Sequence, residues 1–191
     1  PTVPLLKEAV VQAREAGADV IVGLGGGSCI DLAKAVAALL SNEGDLFDYL
    51  EVIGKGSPLK QPPHPFVAIP TTAGTGAEVT KNAVLASPEN RVKVSLRSPS
   101  MLPRLAIVDP ALTDTLPRST TASSGIDALT QLIEAFLSRK ATPLTDALCL
   151  HAIPRAARAL TALSHSLENP AARDDLAYSA LSSGLALANA G

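Results

Sequence analysis

The chain has 191 residues, 47% of them hydrophobic and 3% aromatic, and a formal net charge of −2. That length suits one good core or parts of two domains. The absence of any basic run excludes nucleic acid and anionic membrane as expected partners. No stretch reaches the ~20 apolar residues of a membrane span. The first residues carry no signal-peptide core, and two cysteines, Cys29 and Cys149, are too few for a disulfide framework. A reducing, cytoplasmic setting is expected.

Residues 3–16 read as a helix, with Leu6, Val10 and Ala13 on one side and Lys7, Glu8, Arg14 and Glu15 on the other. Gly17 fits its C′ position. A strand is expected over 19–23, followed by glycines at 23, 25, 26 and 27. Ser28 is an expected N-cap for a helix from about Cys29 to Ser41, where Ile30, Ala33, Ala37 and Leu40 recur at helical spacing. A helix N-terminus presents unpaired N–H groups and a partial positive charge. Glycines let a phosphate approach the backbone. A pyrophosphate site at Gly25, Gly26, Gly27 and Ser28 is the direct reading, and a tight turn without ligand is the alternative. The pattern is neither the P-loop nor G-x-G-x-x-G. Asp31, expected in the first helical turn, complements the helix dipole there. Cys29 is expected to be a small packing residue.

Residues 42–65 form a long connection, with a short helix expected in DLFDYLE and His64 in a loop. A second apolar strand, Phe66 to Ile69, leads into TTAGTGAEVT. There Thr71, Thr72, Thr75 and Thr80 offer hydroxyls, and Gly74 and Gly76 offer close approach. Two such loops after two strands are expected at one end of a parallel sheet, where ligands bind in open α/β folds. Residues 79–86 and 91–96 alternate as a hairpin around SPEN. Lys93 lies on its second strand, facing solvent by default. LAIVDPAL, 105–112, reads as a buried strand and turn, with Leu112 as an apolar wall.

From about residue 118 the pattern is helical. Ser119, Thr120 and Thr121 are expected to cap a helix through Phe136. A second helix runs from Pro143, at N1, toward Leu163, with Pro154 expected to kink or split it. A third starts near Pro170. The expected division is therefore an α/β domain over 1–117 and a helical domain over 118–191, with a cofactor meeting a substrate in the cleft. Asp127 and Gln131 are four residues apart and share a helix face. His151 is expected at or near a packed face.

GGGSCIDLAKA, AIPTTAGTGAEVT, Lys93 in RVKVSL, AIVDPALTDTLP and SSGIDALTQLIEAFLS occur in the order of the iron-containing (group III) alcohol dehydrogenase family, which the chain resembles from Pro1 to Gly191. The resemblance implies an α/β fold: a parallel nucleotide-binding sheet of the dehydroquinate synthase-like kind, followed by an all-helical domain. It also implies that the family's first strand–helix units and most of its helical domain are missing. The implied function is an NAD(P)-dependent oxidoreductase acting on a small alcohol or carbonyl, with NAD as the family default. The family often dimerises, so a homodimer is an expected partner.

By resemblance, Asp31 lies beside the cofactor, Lys93 reaches the nicotinamide end, and Thr71, Thr72, Thr75, Thr80 and Leu112 contribute to cofactor binding. Asp127 and position 131 supply two ligands to a divalent metal, Fe²⁺ or Zn²⁺. The family has His at the second position, and this chain has Gln131, a poorer ligand. The maleylacetate reductase branch, which needs no metal, is one alternative. A dehydroquinate-synthase-like lyase and a nucleotide-binding fragment without activity are two others. PTTAGTGAEVT and GIDALTQ favour the dehydrogenase over the lyase.

Overall fold

Thr2 accepts a hydrogen bond from the Leu5 N–H and starts α1 (Val3–Glu15), which ends before Gly17 in the left-handed region at φ +61°. The computed structural model describes residues 1–190. After α1 come β1 (Ile21–Gly25), α2 (Gly27–Ser41), the short α3 (Leu46–Tyr49), β2 (Phe66–Pro70), β3 (Asn82–Ser87), β4 (Val92–Arg97) and β5 (Leu105–Ala106). Three long helices follow: α4 (Arg118–Leu137), α5 (Pro143–His165) and α6 (Pro170–Ala190).

Two compact units result. The first is Pro1–Ile69 with Lys81–Ile107, and the second is Pro70–Thr80 with the described residues from Val108 onward. The Thr- and Gly-rich loop and the segment before α4 therefore pack with the helices. The first family of strands is a three-stranded sheet in the order β1-β2-β5, with β2 and β5 parallel. The second is the antiparallel hairpin β3–β4, in which Ala86 stands opposite Lys93.

The core of the α/β unit joins Leu6 and Val10 of α1 to Val36 and Leu39 of α2, Leu85 of β3 and Val94 and Leu96 of β4. The helical unit is built largely from alanine. Ala128, Ala159 and Ala180 pack with Leu163 and Leu176 there, and small side chains let the three helix axes approach closely.

Several local expectations change. α2 begins two residues early, at Gly27, because Gly26 is extended at φ −75°, ψ −178° and takes the N-cap position. Ser28 is thus inside the helix rather than capping it, and Asp31 lies beyond the first turn. The strand at 105–112 is only two residues long and is not buried: Leu105 is 52% exposed. Val22 and Leu24 are also exposed, where a parallel sheet covered on both faces would bury them. Pro117 takes the N-cap position of α4 without a side-chain cap, so Ser119, Thr120 and Thr121 lie in the helix. α5 runs unbroken through Pro154, anchored by the Thr142–Thr145 capping box at its start. His151 is exposed, and its Nδ1 lies 2.9 Å from the Tyr178 hydroxyl.

Candidate functional site

In the α/β unit, β1 leads into the glycine turn and α2. Gly25 has φ +157° and sits directly against Cys29: a Cβ there would fall 2.7 Å from the Cys29 Cβ. Cys29 is a free thiol whose Sγ donates to the Leu24 carbonyl, 3.3 Å away. Cys29 thereby braces the turn from inside the helix. No side chain caps α2 at Gly26. The first N–H groups of a helix have no intrahelical acceptor, so Gly27 and Ser28 stand at an end with anion-binding character. This arrangement fits a dinucleotide pyrophosphate.

One turn further on, Asp31 turns away from that end. Its Oδ2 accepts from the Val84 N–H at 3.0 Å, and its Oδ1 lies 3.8 Å from Lys34 Nζ. Lys34 is 1% exposed and donates to the Asn82 carbonyl at 2.8 Å. Burial raises the Asp31 carboxyl above its ordinary range, while the Lys34 charge and the Val84 N–H hold it part of the way down. Lys93 is exposed on β4.

In the helical unit, the loop at 71–80 is held by contacts that only glycine permits. Gly76 adopts φ +60° and lies against the Gly184 backbone of α6. A Cβ on Gly74 would fall 2.6 Å from the Ser124 Cβ of α4. Thr71, Thr72 and Thr80 are half-buried and Thr75 is exposed. Thr75 Oγ1 accepts from the Ala77 N–H, and Thr80 Oγ1 donates to the Ala77 carbonyl. Leu112 sits on a 3-10 turn, Pro110–Thr113, and is 37% exposed. Sequence reading missed the residue that fixes this turn. Arg173 of α6, 3% exposed, donates to the Thr113 carbonyl at 2.5 Å, to Thr113 Oγ1 at 3.2 Å and to the Asp114 carbonyl at 3.3 Å. Its position in a helix of mostly small residues is a signal only in retrospect.

Asp127 and Gln131 do share a face of α4. The Gln131 amide donates through Nε2 to Asp127 Oδ2 at 3.0 Å, and Gln131 Oε1 accepts from Ser183 Oγ at 3.0 Å. Both ends of the amide are thus engaged. Partial desolvation raises the Asp127 carboxyl, and the Gln131 N–H bond opposes that rise. Among the described residues no group of three or more His, Cys, Asp or Glu is placed to hold a metal ion. The described residues by themselves supply fewer than the about three protein ligands of a catalytic metal, with the Asp127–Gln131 pair the part of a ligand set that they offer.

The sequence model of the iron-containing alcohol dehydrogenase family matches residues 1–110, and that of the C-terminal part of the same family matches residues 121–191. The chain is 40% identical over 177 residues to 1,3-propanediol dehydrogenase of Klebsiella pneumoniae, covering 93% of this chain and 45% of the relative. It is 40% identical over 155 residues to 4-hydroxybutyrate dehydrogenase of Cupriavidus necator, covering 81% of this chain and 40% of the relative. Among solved structures, sulfoacetaldehyde reductase from Bifidobacterium kashiwanohense in complex with NAD⁺ superimposes with a TM-score of 0.93 at 33% identity, covering 99% of this chain and 50% of that one. The chain thus spans about half the length of the relatives it matches.

Proposed function

Because this chain belongs to the iron-containing alcohol dehydrogenase family, we propose that it forms part of an NAD(P)-dependent oxidoreductase that interconverts an alcohol and an aldehyde or ketone by hydride transfer. One observation carries the reading. The N-terminus of α2 opens directly from a glycine turn, and no side chain caps it. A bound dinucleotide supplies the hydride donor or acceptor at its nicotinamide ring.

The residues of the chain bind and orient. Gly25, Gly26, Gly27 and Ser28 offer backbone N–H groups to the pyrophosphate. Lys93 supplies positive charge at the nicotinamide end. In the helical unit, Thr71, Thr72, Thr75, Thr80 and Leu112 are assigned as cofactor contacts. NAD is the preferred dinucleotide, in keeping with the NAD⁺ complex of the related sulfoacetaldehyde reductase. The substrate is a small alcohol or carbonyl, in keeping with the names of the relatives. A cytoplasmic setting and a homodimer complete the proposal, as does a division into a nucleotide-binding part over 1–117 and a helical part from 118.

A second reading, reduction without a metal in the manner of the maleylacetate reductase branch, is favoured by the Gln131 amide bound to Asp127. Following NADH oxidation at 340 nm by the intact protein, with a panel of small aldehydes, tests both. Turnover that survives a chelator supports the metal-free route. Turnover lost to the chelator and restored by Fe²⁺ or Zn²⁺ supports the metal-dependent one. No turnover and no NADH binding would contradict the proposal.

A further inference from the structure

The hairpin β3–β4 has only two strands, so the edge of β3 turned away from β4 exposes alternate backbone groups. Those groups belong to residues 82, 84 and 86, and one group of each is bonded by a neighbouring segment. Lys34 Nζ donates to the Asn82 carbonyl at 2.8 Å. Asp31 Oδ2 accepts from the Val84 N–H at 3.0 Å. The Pro1 carbonyl accepts from the Ala86 N–H at 2.8 Å. Asp31 and Lys34, three residues apart on α2, therefore offer one acceptor and one donor along this edge, at the spacing a neighbouring strand would use. Lys34 is 1% exposed and the Asp31 side chain 14% exposed, so water competes poorly for either bond.

Ala86 stands opposite Lys93 in the hairpin register. The bonded positions 82 and 84 thus fix the strand whose partner carries Lys93. The same helix presents the glycine turn one turn earlier. We propose that Asp31 and Lys34 are positioning residues that act as a surrogate strand for β3 and so set where the hairpin holds Lys93 relative to the N-terminus of α2. The assignment deepens, and rests on, the cofactor reading of α2 and Lys93. Asp31 acts through Lys93 and does not itself touch the cofactor.

The test combines amide hydrogen exchange with NADH binding, followed by nicotinamide fluorescence, in the full chain. In Asp31→Ala the Val84 amide loses protection, while amides of α5 and α6 keep theirs. NADH affinity falls roughly tenfold, as loss of a buried charge-assisted bond allows. Asp31→Asn, which keeps an acceptor for Val84, recovers most of both. The double variant Asp31→Ala/Lys93→Ala binds no worse than Lys93→Ala alone. Losses that add would mean that Asp31 touches the cofactor directly and would overturn the proposal. Unchanged exchange at Val84 in Asp31→Ala would overturn the surrogate-strand bond itself. Absence of NADH binding by the wild type would overturn the cofactor reading and the role of Lys93, with the exchange result still deciding the bond.

Discussion

Gln131 donates its side-chain amide to Asp127 across one turn of α4, Nε2 to Oδ2 at 3.0 Å, and is itself held from behind by the fully buried Ser183 hydroxyl. The amide satisfies the carboxylate that a metal would otherwise neutralise. An imidazole at the same position would be a far better ligand for a first-row divalent ion. Gln131→His is therefore expected to raise Zn²⁺ affinity at least about tenfold over the wild type. Calorimetric titration with Zn²⁺ checks this. Equal affinity in both proteins would mean that position 131 contributes no metal ligand beside Asp127.

The raised Asp31 carboxyl gives a pH prediction with a definite sign. Burial outweighs the pull of the Lys34 charge and the Val84 N–H, so the folded chain keeps this proton to higher pH than the unfolded chain does. The group's contribution then favours folding at pH values below the ordinary aspartate range near 3.8 and is lost as pH rises through the raised folded value. Asn carries no such titration. Urea unfolding across pH 3.5 to about 7 should show Asp31→Asn gaining stability relative to the wild type as pH rises through that window. A difference that is flat, or that runs the other way, would contradict the burial argument.

Gly76 meets two conditions at once: φ +60° and direct contact with the Gly184 backbone. Gly76→Ala must strain the first and displace the second. A loss of about 1–3 kcal/mol in unfolding free energy is expected. Gly17→Ala, with φ +61° but open space around it, isolates the backbone effect and should cost less, about 1 kcal/mol. Denaturant midpoints measured on the two variants separate the contributions.

Arg173 is buried and spends its guanidinium on backbone and hydroxyl oxygens of Thr113, Asp114 and Leu167. Arg173→Ala removes the partner of the buried Thr113 carbonyl and hydroxyl and of the half-buried carbonyls beside them, at a cost of about 2–4 kcal/mol. Arg173→Lys restores the charge but not the fork of donors and should recover only part of the loss. Thermal unfolding of both variants checks the ordering.

Much of this was readable in the chain itself. Gly17 and the helical repeat of Leu6 and Val10 mark α1, and Pro143 at N1 marks the start of α5. Local signals suffice where one residue settles one cap. They fail where tertiary partners decide. Ser28 has the side chain of an N-cap, yet Gly26 takes the position because the glycine turn is already extended there. Asp31 looks like a dipole partner from its place in sequence, and its bond goes to Val84, 53 residues away. The loop at 71–80 reads as the edge of a sheet, and it packs with α4 and α6 because Gly74 and Gly76 admit Ser124 and Gly184. No periodicity or spacing encodes such pairings. For the candidate site, the glycine turn and the Asp127–Gln131 pair were legible as local patterns, whereas the anchoring by Ser183 and Arg173 depends on α6 and was not.

The most direct measurement is a nicotinamide fluorescence titration of the wild type and Gly26→Val with NADH. Gly26 takes the N-cap position of α2 at φ −75°, a backbone that valine also adopts, so the substitution adds a side chain at the phosphate approach without demanding a new backbone. Saturable binding by the wild type, weakened at least about tenfold in Gly26→Val, is the predicted result. Equal binding by the two proteins would place any dinucleotide elsewhere and contradict the assignment of the glycine turn.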